Sequence, residues 1–145
     1  MNKFSRFELY RYDVLNVIKS LEDNSVDLIF TELSQLKDIR VVREYDRVLK
    51  NVACIVSLKV IGSEREIVKV EVVVYGNRAI IHKHSNDIKQ IIDDYTNESD
   101  VILDTNMLTG EIGMICRDKN RGYIGIEEDF NLFEIASYNY ERKLL

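Results

Sequence analysis

The feature that most constrains this 145-residue chain is the recurrence of short, nearly continuous apolar runs separated by segments of helical period. Val26–Thr31 (VDLIFT), Val52–Leu58 (VACIVSL), Val101–Asp104 (VILD) and Gly122–Glu127 (GYIGIE) are rich in β-branched residues. Strands apolar on both faces belong inside a parallel sheet that helices cover from both sides. The intervening segments supply those helices. Asp13 precedes Val14, Leu15, Val17, Ile18 and Leu21, the pattern of a capped amphipathic helix. The spacing of Leu36, Ile39, Val42 and Tyr45 predicts a helix over Ser34–Leu49, and further helices are expected over Ile88–Tyr95, Thr109–Asp118 and Asn131–Arg142. Phe7–Arg11 reads as a short strand. In the middle, Ile67–Tyr75 alternates apolar and polar, Gly76-Asn77 turns, and Arg78–His82 returns, which is a hairpin signal. Together these give an α/β three-layer sandwich whose mostly parallel sheet carries an antiparallel hairpin at its edge. With no repeat, low-complexity tract or linker, residues 1–145 read as one domain.

Charge and composition narrow the function. Twenty basic and twenty-five acidic side chains give a net charge of −5, and no Lys/Arg run forms a concentrated patch. A protein that grips duplex DNA by neutralising phosphates has the opposite balance, so duplex binding by this chain alone is not expected. No apolar run approaches membrane-spanning length, and Met1–Arg6 lacks the apolar stretch of a signal peptide, so the chain reads as soluble and cytoplasmic. Cys54 and Cys116 lie in apolar segments, form no CxxC and read as small core residues. Proline is absent where average usage predicts about seven.

The stretch richest in chemistry is Val101–Gly110 followed by Gly122–Asp129. A strand ending in Asp104, a loop with Gly110, a helix, and a second strand ending in Glu127 form a nucleotide-binding half-fold. In such a unit the second carboxylate accepts from ribose hydroxyls, and loop glycine lets backbone approach the ligand. The alternative is a βαβ unit with a helix-capping Asp and no ligand.

These residues resemble the permuted DNA N6-adenine/N4-cytosine methyltransferases, in which the catalytic motif precedes the cofactor motif. The family's Leu-Asp-Pro-Phe-Met-Gly-Ser-Gly strand and loop is matched by Leu103-Asp104-Thr105-Asn106-Met107-Leu108-Thr109-Gly110. Its Phe-Ile-Gly-Ile-Glu-Ile-Asp and Glu-Ile-Ala segments are matched by Tyr123–Asp129 and Glu134–Ala136. Upstream, Asn24–Thr31 and Tyr45–Lys50 follow the family's Asn-Ser-Val-Asp-Leu-Ile-Ile-Thr and Tyr-Arg-Val-Leu-Lys. The resemblance implies a Rossmann-like S-adenosylmethionine-methyltransferase fold. It also implies vestigial cofactor positions at Asp104, Gly110 and Glu127 and a vestigial catalytic position at Glu32.

The departures fall on the working residues. The family's Asp-Pro-Pro-Tyr, which holds a flipped-out base, reads Glu32-Leu33-Ser34-Gln35 here, without prolines and without a ring to stack on the base. Leu108 replaces the first loop glycine, Asn106 an aromatic, and Glu111 adds negative charge. Only Lys59–Lys83 joins the two halves, too short for a separate base-reading domain. His82 and His84, two apart, would share a face of a strand and could pair on a metal, with no third ligand nearby. Glu127-Glu128-Asp129 reads as a solvated strand end that caps the next helix, and Tyr138 and Tyr140 as core and rim residues with leftover surface for a protein contact.

The resulting expectation is a catalytically inactive methyltransferase-like protein without bound cofactor. It would act through a protein partner or self-association, in a regulatory or phage accessory, anti-defence role. The alternatives are a minimal S-adenosylmethionine-dependent DNA amino-methyltransferase, or the silent subunit of a heterodimeric one.

Overall fold

Asp13, Asp38 and Asp87 each cap a helix in this computed structural model, which describes residues 6–144, with side chains given to residue 141. The leader reading of Met1–Ser5 lies outside the described residues. Asp13 accepts from the Asn16 N–H and starts α1 (Val14–Lys19); Asp38 accepts from Arg40 and starts α2 (Ile39–Val48); Asp87 accepts from Lys89 and starts α3 (Ile88–Tyr95). Two further helices follow, α4 (Glu111–Asp118) and α5 (Phe130–Leu144).

The strands are β1 (Phe7–Tyr10), β2 (Val26–Glu32), β3 (Leu49–Ile61), β4 (Glu64–Val74), β5 (Asn77–Ile80), β6 (Val101–Asp104) and β7 (Gly122–Ile126). They form one sheet in the order β1-β7-β6-β2-β3-β4-β5. The first five strands in that order are parallel, and β4 and β5 continue it as antiparallel ladders, so the expected edge hairpin is present.

Alternation along the strands sends side chains to two separate cores. Ile29, Ile55, Leu103 and Ile124 meet Val17 and Ile18 of α1 and Val41 and Tyr45 of α2. Leu28, Phe30, Val56, Ile102 and Tyr123 meet Ile91 and Ile92 of α3, Ile112 and Cys116 of α4, and Ala136 of α5. The architecture is therefore helix–sheet–helix. Cys54 and Cys116 are both buried free thiols in the second core, as core residues should be.

Three expectations change. The helix over Ser34–Leu49 is broken: Leu33–Lys37 is a 3₁₀ turn, and α2 starts only after Asp38. Glu32 and Gln35 form a reciprocal capping box that closes the turn, and the Asp38 side chain then caps a new helix. The second change is at β3 and β4, which are longer than Val52–Leu58 and Ile67–Tyr75 and meet in a hairpin at Gly62 (φ +62°). A register shift between Ser57 and Leu58 leaves Val68 extra in β4 and bends the hairpin. Finally, β5 ends at Ile80, so His82 and His84 lie in a loop and share no strand face.

A cleft at the strand ends

The sheet reverses its winding between β6 and β2, and open α/β sheets bind ligands outside the carboxyl ends of the strands at such a point. A cleft of about 660 Å³ lies there. Its walls come from the start of α1 (Asp13–Asn16), the turn after β2 (Glu32, Ser34, Gln35), the start of α2 (Asp38, Arg40, Val41), the end of β6 (Thr105, Asn106) and the end of β7 (Glu127, Glu128). Five carboxylates thus face it against the single cation Arg40, which is held bidentate by Asp38.

Of the four positions singled out in the sequence, Glu32 and Glu127 meet in this cleft, and Asp104 and Gly110 lie outside its lining. Glu32 Oε2 accepts from the Ser34 N–H at 2.8 Å and from the Ser34 hydroxyl, so one of its two oxygens serves its own turn. Glu127 Oε1 accepts from the Leu108 N–H (3.0 Å) and Oε2 from the Asp129 N–H (3.0 Å), which leaves lone pairs free for a further donor. Gly110 has φ +84° and caps α4, and an added Cβ would approach Ala136 Cβ to 3.1 Å. Left-handed geometry and close packing on α5 account for this glycine without a ligand.

Asp104 is fully buried and turned toward the second core. Arg65, on the bent β3–β4 hairpin, reaches it with a bidentate pair at 2.7 and 3.2 Å and also donates to the Asn106 carbonyl at 2.7 Å. The Tyr123 hydroxyl donates to the same carboxylate at 2.7 Å. The Arg65 side chain is itself only 7% exposed. Burial disfavours its charge, but the Asp104 carboxylate more than offsets this and holds the guanidinium above its ordinary value. Burial, and then the same carboxylate, push the Tyr123 phenol well up. Arg65 is the site residue that sequence reasoning missed. It lies just before the strand Ile67–Tyr75 that alternation predicts, and no local pattern links it to Asp104.

Gln35 stands where the resemblance would place an aromatic ring. Its Oε1 accepts from the Glu32 N–H (3.0 Å), the Thr31 hydroxyl (3.1 Å) and the Thr105 hydroxyl (2.6 Å), and its Nε2 donates to the Thr105 carbonyl (3.0 Å). The buried Tyr45 hydroxyl joins this network at 2.8 Å from Thr31 Oγ1, and burial raises its phenol. The loop after β6 is equally self-contained. Thr105 N–H donates to Phe30 O, Met107 N–H to Ile126 O, Leu108 N–H to Glu127 and Gly110 N–H to Met107 O. Leu108 sits at φ +51°, a left-handed conformation that favours glycine.

Among the described residues no three His, Cys, Asp or Glu side chains are placed to hold a metal. Asp129 caps α5 by accepting from the Leu132 N–H, as the acidic strand end suggested. Tyr140 stacks on Phe7 with ring centres 4.1 Å apart, and Tyr138 is largely exposed. No helix among the described residues is long and apolar enough to cross a membrane.

A Rossmann-like sheet with a switch-point cleft and an acidic residue closing β7 defines a methyltransferase-type fold, and solved structures agree. M1.HpyAVI superposes with a TM-score of 0.69 at 19% identity, over 92% of this chain and 98% of that one. TTHA0409 of Thermus thermophilus, a candidate DNA modification methylase, gives 0.71 at 16% identity over 95% of both chains. The cytosine-N4-specific PvuII DNA methyltransferase gives 0.61 at 10% identity, over 94% of this chain and 86% of that one. The first two also match in complex with S-adenosylmethionine. The sequence matches no family model and no curated protein. At these identities the likeness is one of fold.

That fold implies S-adenosylmethionine, and the residues present fit only part of it. The cleft has room for a nucleoside, and Glu127 retains acceptor capacity for a ribose. The amino-acid tail fares differently: four N–H groups of the 105–110 loop are already bonded within the protein, and Arg40 is committed to Asp38. The nucleoside end of the cleft is therefore better provided with free polar groups than the end toward the 105–110 loop.

Proposed function

We propose that this chain is a catalytically silent methyltransferase-fold protein that works by binding another protein, as a regulator, a phage accessory or anti-defence factor, or the silent subunit of a methyltransferase pair. The observation that carries this reading is Gln35. Transfer to a base amine needs an open, rigid loop with a ring to stack the extruded base. Here the equivalent turn is closed on itself, with every polar atom of the Gln35 amide facing Thr31, Glu32 or Thr105. The protein does not use S-adenosylmethionine in this reading.

The second reading, a minimal S-adenosylmethionine-dependent DNA amino-methyltransferase, is favoured by the persistence of the cleft and by Glu127 and Glu32 both lining it. One assay separates the two. Purified protein is incubated with tritiated S-adenosylmethionine and DNA, RNA or protein. The silent reading predicts no label in any acceptor. Label that appears with the wild type and disappears with Glu32→Ala would overturn it.

A further inference from the structure

We infer that the open edge of β5 pairs with the same edge of a second copy of this chain, joining two sheets into one. The inference is independent of what the cleft binds. Strand β5 is the outermost strand and hydrogen-bonds only to β4, and all four of its residues are exposed. Its register with β4 pairs Val72 with Ala79 and Val73 with Arg78, and Ile81 N–H donates to the Val70 carbonyl at 2.8 Å. Hydrogen-bonded and non-bonded pairs alternate in an antiparallel ladder, so Ala79 bonds inward and the N–H and C=O groups of Arg78 and Ile80 point to the open edge.

Proteins blunt such edges by keeping them short or with proline, bulges or free charges; β5 is short, at four residues, but carries none of the other guards. The chain has no proline and the β4–β5 register is unbroken. The strand's one cation, Arg78, is drawn aside to Asp46 on α2. Ile80 stays 51% exposed. At the opposite edge, β1 is half-buried, with Phe7 under the Tyr140 ring.

The edge is self-complementary. In an antiparallel two-fold arrangement centred on Ala79, the two Ala79 residues form the close, non-bonded pair, where small side chains fit. Each Arg78 then lies opposite the other copy's Ile80, and the two exchange both backbone bonds. No like charges face each other, and the aliphatic stem of Arg78 covers the exposed Ile80.

The test is the mass of the full chain in solution by light scattering and sedimentation equilibrium at tens of micromolar. The wild type is expected at about 34 kDa, twice the 17.0 kDa chain. Ile80→Pro removes only an outward-facing N–H, a position where edge strands tolerate proline, and is expected at the monomer mass with its melting temperature within a few degrees of wild type. Ala79→Lys, which places like charges at the two-fold axis, is expected to dissociate the pair as well. A wild type that is monomeric at 100 µM, or a folded Ile80→Pro protein that stays dimeric, overturns the inference. So does a monomer that uses this edge only for a strand of another protein.

Discussion

Replacing Arg65 by Met would leave the Asp104 carboxylate fully buried, with only the Tyr123 hydroxyl bonded to it. Breaking a buried pair by removing one partner costs about 3–5 kcal/mol, because the remaining charge is uncompensated. The Asn106 carbonyl loses its partner in the same change. In a domain of this size each kcal/mol moves the melting temperature by roughly 2–4 °C, so Arg65→Met is expected to melt roughly 6–20 °C below wild type. The double variant Arg65→Met/Asp104→Asn removes the orphaned charge and is expected to recover about half of the loss, since an unsatisfied neutral group costs about 1–3 kcal/mol. Urea unfolding checks both variants, with unchanged m-values showing that stability rather than compactness has moved. If Arg65→Met unfolds within about 1 kcal/mol of wild type, the pair is not the internal tie described above.

Gly125→Ala places a Cβ 2.5 Å from both Met107 Sδ and Tyr123 Cε2, so it should displace the Tyr123 ring and lower stability by about 1–3 kcal/mol in the same urea assay. Gln35→Ala leaves the Thr31 and Thr105 hydroxyls without their shared acceptor, with an expected loss of about 1–3 kcal/mol in thermal unfolding. Tyr45 and Tyr123 are held above the ordinary phenol value, so the folded state keeps protons that the unfolded state releases. Their contribution is present below about pH 10 and lost above it; unfolding monitored against pH should show stability falling from about pH 10 upward, less steeply in Tyr123→Phe. Burial pushes the Cys54 thiol up to about 12 and raises Cys116 as well, so neither should react with a thiol reagent at pH 8 until the protein unfolds.

The sheet was legible because its central strands are buried on both faces and read as continuous apolar runs: Val101–Asp104 has the bounds that the apolar run predicts, and the helix Ile88–Tyr95 those that helical period predicts. The break at Asp38 was not, because Leu36, Ile39, Val42 and Tyr45 keep helical spacing across it, and only the Glu32–Gln35 box reveals the interruption. The site was half legible. Motif position brought Glu32 and Glu127 to the same cleft, but the orientation of Asp104 follows from which face of β6 it occupies and from an arginine 39 residues away. No local pattern carries that pairing, since it depends on the bend at Val68.

Calorimetric titration of S-adenosylmethionine into the purified protein, with thermal shift in parallel, tests the central claim most directly. A ligand at 100 times its Kd would stabilise the fold by about 2.7 kcal/mol, an easily read shift. The account predicts no heat and no shift at millimolar ligand, since the loop that should receive the amino-acid tail is bonded to its own protein. Saturable one-to-one binding, lost in Glu127→Ala, would contradict it and return the chain to the methyltransferases as a cofactor-binding member.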